Sequence, residues 1–457
     1  MTTPESSSSI AARPIAPSRG APPSAPVLDE HGSLRGESAP AAGGNPWECL
    51  ERAREESAGE PLFLWEAPHG QSIAGIGAVA RLEAMGPGRF EEVRLGLDRL
   101  LGRAKHQGVA PAGFPGAAAI GGFSFDGQIG SPGWPGFPDA AFHVPSRTFW
   151  NTPAGETIET RWSPDEEGGY RAAAADRSGS READPPSTES WDRAAWVDAV
   201  GLTLNRIRAG AFTKAVLARS VDVALDRPAD LYQIMSTLRS AYPTCYRFLI
   251  ADGRGNAFLG ASPERLVRLS GREVLTEAVA GTQRCEPGED GSALGRSLAA
   301  SGKDRSEHAI VLRHLLGTLA PLCEALEAPE SPGVMRLPHL LHLRTPVRGL
   351  VREGAHALDL VARLHPTPAI AGWPRSDALD WIRRVERLNR GWYAGPVGWV
   401  NAEGEGDFAV GIRSIAIHAG VGRIFAGAGI VEGSDPAQEW NETELKMKGI
   451  LDALASD

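Results

Sequence analysis

The stretch SDPAQEWNETELKMKG, residues 434 to 449, sets two carboxylates and an ammonium on one line of a helix. Asp435 is suited to cap that helix, with Pro436 at its first position and Gln438 three residues after the cap. At about 100° per residue, Glu439, Glu442 and Lys446 fall within ~60° of one another. Trp440, Met447, Leu451 and Leu454 form a separate apolar stripe beside them. Such a line is either a solvated face, with a Glu442–Lys446 pair contributing about 0.2–0.5 kcal/mol, or a wall that binds a cation and an anion. Glu307, in GKDRSEHAIVLRHLL, borders a second apolar stripe made by Val311, Leu315, Leu319 and Leu322. Carboxylates from two helices facing one cleft suit a hard cation such as Mg²⁺, with water and anionic substrate oxygens completing its shell.

Three further residues stand where their types are costly. Lys214 lies in TKAVLARSV, whose apolar neighbours imply burial; loss of solvation lowers an ammonium pKa from about 10.4 toward the range useful to a general base, unless the side chain snorkels to the strand end. Arg413 lies in FAVGIRSIAIH with apolar residues on both sides, so its guanidinium requires an anion. Either a ligand carboxylate gripped by a bidentate fork or an internal Asp or Glu would serve. Glu264 follows the Ser-Pro pair of GASPERL; buried, it would stay protonated and act as an acid, and exposed, it would be a turn residue. The glycines of GAGIVEG are spaced GxGxxxG without a βαβ unit or downstream acid, so they are not a dinucleotide fingerprint. His308, His314, His339 and His342 have no metal-binding spacing.

Positioning these groups takes a large α+β unit. The 457 residues, 42% hydrophobic, allow one large or two ordinary domains. The net charge of -10, without a Lys/Arg-rich block, argues against nucleic acid as a partner. Cys49, Cys245, Cys285 and Cys323 are scattered without CxxC spacing, which fits a reducing cytoplasm. No apolar run is long enough to span a bilayer, and no signal-peptide pattern is present. Residues 1–45 have the Ser/Ala/Pro/Gly composition of a disordered tail. An N-terminal part of the fold follows over 46–164, a polar linker or insertion over 165–190, and the region carrying the chemistry over 191–457. There the pattern predicts helices at WVDAVGLTLNRIRAG, EHAIVLRHLLGTLAPLCEAL and DALDWIRRVERLNR, the last capped by Gly391. Strands are predicted at TKAVLARSVDVAL, GPVGWV and FAVGIRSIAIH, with a hairpin turning at Asp252–Gly255. Helices inserted between hairpins argue for antiparallel sheets.

KAVLAR, GASPERL, EAVAGT, GKDRSEH, LLHLRTPVRG, LHPTPAIAGWP, RGWYAGPVGW, FAVGIRS and AGAGIVEGSDPAQEWNETELKMK occur in this order over about residues 195–455. Together they resemble the chorismate-utilising enzymes, most of all the isochorismate synthases. The resemblance implies two large antiparallel sheets packed centrally with helices outside, and a Mg²⁺-containing cleft that converts chorismate to isochorismate. It implies Lys214 as the base that activates water, Glu264 as the acid that protonates the departing hydroxyl, Glu307 and Glu442 as magnesium ligands, and Glu439 as a supporting carboxylate. Arg413, Tyr393 and Lys446 would hold the substrate's carboxylates, with backbone from Gly281, Gly427 and Gly429 assisting and His342 near the enolpyruvyl side chain. A monomer suffices for such a site.

Within the family, ammonia users carry Gln at the position of Lys214 or a nucleophilic lysine at that of Ala280, so both are disfavoured. Salicylate synthases have Thr where this chain has Ala369, which favours stopping at isochorismate. A salicylate synthase, a siderophore-pathway isochorismate synthase instead of a menaquinone one, and a silent chorismate-binding subunit are the alternatives. The intact set of charged residues argues against the last.

Overall fold

The chain forms two stacked, mostly antiparallel sheets in a computed structural model that describes residues 33–456 apart from 69, 111–113, 128–133, 153, 166–190, 287 and 387. Among the described residues one sheet has twelve strands and the other ten, with helices on their outer faces. The expected α+β architecture is therefore present. Inner strands such as Ala257–Ser262 and Pro396–Asn401 are buried along their whole length, because one face meets the other sheet and the other is covered. Aromatic side chains fill the space between sheets: Phe258 lies 5.3 Å from Phe248 and 6.1 Å from Trp392.

Strands from before residue 165 continue both sheets. Leu62–Glu66 pairs with Tyr246–Ala251 in the larger, and Ala118–Phe123 with Pro396–Asn401 in the smaller. The tail expected over 1–45 ends sooner than that, since Leu34–Pro40 is a strand pairing antiparallel with Thr157–Pro164 and parallel with Lys105–Gly108. Its alternation, with Leu34, Gly36 and Ser38 buried, was hidden by small and polar residues. Residues 1–32 and nearly all of the linker expected over 165–190 lie outside the described residues.

Three predicted elements differ. FAVGIRSIAIH is not one strand: Gly406–Val410 belongs to the smaller sheet and Ser414–His418 to the larger, with Arg413 between them at φ +51°. The helix expected to run through Cys323 ends at Leu319, and Cys323–Glu327 pairs as a strand with Leu340–Val351. The helix expected to end at Gly391 stops at Val385 with Glu386 as its cap.

The early stop has an electrostatic cause. Glu386 and Arg390 are both buried, and the Glu386 carboxylate accepts from the Ala218 amide at 2.7 Å and from Arg390 Nε at 2.8 Å. Arg390 also donates to the Ile370 and Val216 carbonyls, each at 2.8 Å. Three of these contacts tie the segment after the helix to the Lys214–Ala224 strand and to residue 370, and the fourth joins its two charges. Glu386→Ala would leave a buried guanidinium without its carboxylate, and the expected loss is about 3–5 kcal/mol of unfolding free energy by urea titration at neutral pH.

Candidate active site

The charged groups meet where strands change sheets. Ala257–Ser262 lies in the larger sheet and Arg265–Ser270 in the smaller, so Pro263 and Glu264 form the crossing. Arg413 occupies the equivalent crossing of the neighbouring strand pair. Between them opens a cleft of about 80 Å³ that Lys214, Glu264, Glu307, Arg413, Glu442 and Lys446 all line. Gly281, His342, Ala369, Tyr393, Gly427 and Gly429 line it too. Of the site residues that the resemblance implies, Glu439 alone is not among those lining the cleft.

Lys214 begins its strand with Trp373 and Val431 as register partners, and its side chain is 1% exposed. The snorkelling alternative is thereby excluded. Its Nζ lies 2.8 Å from Glu307 Oε1, contributed by the Gly302–Leu319 helix that Ser301 caps. Glu264 is 6% exposed; burial pushes its carboxyl up to about 8, with Glu277 adding to the rise while Lys214 and Lys446 oppose it. The turn-residue alternative fails on that burial, and the group stays protonated at neutral pH.

The helix Pro436–Ala455 begins where expected, with Asp435 accepting from the Ala437 and Gln438 amides. Its buried line differs from the predicted stripe. Thr443, Met447, Ile450 and Ala453 face inward with Glu439, whereas Leu451 is exposed and Trp440 lies under the Arg219 guanidinium at 3.7 Å. Glu442 and Lys446 pair at 2.5 Å as a half-buried part of the cleft, and Lys446 also donates to the Gly427 carbonyl at 2.9 Å. Glu439 is 3% exposed and accepts from Lys303 at 3.0 Å; burial, then repulsion by Glu442, pushes it up to about 7.

At the Arg413 crossing, desolvation lowers the guanidinium below its ordinary value. Arg413 Nη2 stands 3.4 Å from His342 Nε2, and His342 Nδ1 stands 3.2 Å from the Gly281 carbonyl. That carbonyl only accepts, so the imidazole proton is on Nδ1 and Nε2 faces the arginine. Burial, then Arg413 and Lys446, pushes the imidazole down to about 3, which keeps it neutral. Gly281 sits in a bulge at φ +76°, and Tyr393 stacks on Phe425 at 4.9 Å with its phenol driven up by burial. His308 bonds Thr345 at 3.2 Å.

Several participants escaped the sequence reading. Lys303 lies four residues before Glu307 on one helix face, a spacing that was available as a signal. Asp304 accepts from the Thr282 amide at 3.3 Å and so steadies the Gly281 bulge. Arg390 lines the cleft, and Glu277 sits beside the Glu264 crossing; both looked like ordinary helix and strand charges.

Comparison with known proteins places this geometry. Residues 29–455 match the family model described as chorismate binding enzyme. The chain is 34% identical over 422 residues to isochorismate synthase MenF of Bacillus subtilis, covering 86% of this chain and 88% of that one. It is 43% identical over 267 residues to the salicylate biosynthesis isochorismate synthase of Pseudomonas aeruginosa, over 58% of this chain and 56% of the relative. The solved structure of MenF, the menaquinone-specific isochorismate synthase of Escherichia coli, superposes with a TM-score of 0.73 at 25% identity, covering 93% and 96% of the two chains. A match that runs through both sheets and every residue of the cleft means that the chain belongs to the chorismate binding enzymes.

Proposed function

We propose that this protein is an isochorismate synthase, which interconverts chorismate and isochorismate by adding water at ring C2 with loss of the C4 hydroxyl. The observation that carries this reading is a buried, protonated acid, Glu264, sharing one cleft with a buried amine, Lys214, and with two further cations, Arg413 and Lys446. A small dianion is the kind of ligand those cations answer. Lys214, acting as the neutral amine, takes the proton of the incoming water while Glu264 gives its proton to the departing hydroxyl; one water enters and one leaves, and exchange with solvent returns Lys214 and Glu264 to their starting states. Arg413 and Lys446 bind the substrate's carboxylates, with the Tyr393 hydroxyl and the neutral His342 edge completing the wall.

The cleft residues fit a hard cation. Glu307 and Glu442 present oxygen donors to the cleft, and the mutual repulsion of Glu439 and Glu442 is what a divalent ion relieves. Among the described residues no group of three or more His, Cys, Asp or Glu forms a cage by itself, and each of these carboxylates is paired with a lysine. Mg²⁺ would therefore be held by Glu307 and Glu442, supported by Glu439, with water and substrate oxygens as its other ligands. When bound, it supplies charge neutralisation for the substrate's ring carboxylate.

The likeness to isochorismate synthase MenF of Bacillus subtilis over most of both chains supports the menaquinone pathway, and Ala369 in the cleft supports release of isochorismate rather than salicylate. Four buried free cysteines accord with a cytoplasmic enzyme, and among the described residues no helix is long and apolar enough to cross a membrane.

Purified protein given chorismate and Mg²⁺ is expected to produce an equilibrium mixture with isochorismate, resolved by chromatography, and EDTA should abolish it. Lys214→Ala should lower turnover by about 10²- to 10⁴-fold. Salicylate with pyruvate as the main product would move the protein to the lyase branch, and no turnover would leave a silent subunit.

The proposed acid has a thermodynamic signature as well. A carboxyl whose folded pKa is raised adds stability below its unfolded value near 4.5, and that contribution is lost as pH rises through about 8. Glu264→Gln should therefore become increasingly more stable than the parent between those values, by of the order of 3–5 kcal/mol above pH 8 in denaturant titrations, while losing turnover.

A further inference from the structure

We infer that Glu277 is a positioning residue for the proposed acid: it anchors the sheet crossing on which Glu264 rides and presents a fixed negative charge to it. This deepens, and rests on, the isochorismate synthase reading. Glu277 comes from the Glu273–Arg284 strand, which does not pair with Glu264 in either sheet, and its residue is 5% exposed. One carboxylate oxygen accepts from the Arg265 amide at 3.2 Å, the peptide bond just after Glu264. The other accepts from Arg344 Nε at 2.5 Å. Glu264's own amide reaches Ser262 Oγ at 3.3 Å, and its carbonyl accepts from the Val410 amide at 3.0 Å. The backbone is thus fixed before, at and after the acid, and the third of these contacts is charged.

The electrostatic setting makes that charge matter. Lys214 from its strand and Lys446 from the closing helix draw the Glu264 proton away, and Tyr393 faces it as a neutral phenol. Burial opposes the two cations, and Glu277 is the carboxylate that joins burial. On its far side Glu277 lines a second, open cavity of about 340 Å³, which Arg265, Arg336 and Arg344 also line. Arg265 there bonds the Tyr246 hydroxyl and acts on Glu277 through space, so Arg344 is the guanidinium bonded directly to Glu277. A carboxylate whose only task was to neutralise Arg344 would have no need to hold the Arg265 amide. Two bonds on two oxygens connect the arginine, the crossing and the acid in series.

The test is the pH dependence of kcat/KM with chorismate at saturating Mg²⁺, which reports the free enzyme's acid. Since Glu264 must be protonated, activity falls on the alkaline side, near pH 8 in the parent. Glu277→Gln keeps an oxygen for the Arg265 amide but removes the charge, so the alkaline limb should move to lower pH by about half a unit or more. Arg344→Met removes the guanidinium bonded to Glu277 and should move the same limb to higher pH. Opposite displacements support the inference, because a structural role lowers stability without moving one limb in two directions. An unmoved limb in Glu277→Gln, or displacement of both variants the same way, overturns it while the parent's isochorismate production stands. If Glu277→Gln fails to fold, Arg344→Met alone decides: an upward displacement supports and an unmoved limb refutes. Failure of the parent to make isochorismate removes this inference together with the reading beneath it.

Discussion

Two neighbouring strand pairs leave the larger sheet for the smaller at the same place, and the cleft depends on that double crossing. While Ala257–Ser262 and Ser414–His418 are partners on one side, Arg265–Ser270 and Gly406–Val410 are partners on the other. A strand interior must devote its backbone to the ladder and send alternate side chains to opposite faces. At a crossing neither demand holds, so Glu264 and Arg413 project into the gap between the sheets without interrupting either one. The left-handed backbone at Arg413 is the local cost of that turn. Without the crossings the two groups would stand on separate sheets or be buried in the hydrophobic layer.

The gap is crowded with charge, and three lysines there are each paired with a carboxylate. Lys214 answers Glu307, Lys446 answers Glu442, and Lys303 answers Glu439. An isolated buried ion would cost several kcal/mol, so these pairs make the cleft compatible with a stable fold before any ligand arrives. Glu264 follows a different course, staying neutral instead of paired.

Much of this was legible in the sequence because it depended on local rules. The Asp435 cap, the Glu439–Glu442–Lys446 line and the buried start of the Lys214 strand follow from period, capping and neighbour polarity. The register of the closing helix was harder. Leu451 read as core yet is exposed, Trp440 packs at the core's edge against Trp196 with the Arg219 guanidinium over it, and Glu439 takes the inward place. FAVGIRSIAIH read as one strand because both of its halves are apolar, and local pattern carries no mark for the sheet to which each half belongs. The Glu386–Arg390 pair was equally invisible. Its i,i+4 spacing suggests a longer helix, whereas its partners at Val216, Ala218 and Ile370 end that helix.

The glycine run shows why pattern and function part company. GAGIVEG invites comparison with a dinucleotide fingerprint, but its first five residues end a strand, Val421–Val431, paired with the strand of Lys214. Gly429 lies opposite Val216, where a β-carbon would come within 2.5 Å of Glu307 Oε1 and 3.0 Å of Lys214 Cε. Gly427 leaves room beside the Tyr393 hydroxyl, and its carbonyl receives Lys446. What these glycines supply is space: a bare strip of sheet on which an ion pair lies flat against the backbone. The same two residues therefore open the floor of the cleft and offer it a carbonyl, and they need no positive φ to do so, since neither is among the left-handed glycines of the chain. The constraint is steric, set by side chains from a helix and a strand that are distant in sequence, and only the folded chain displays it.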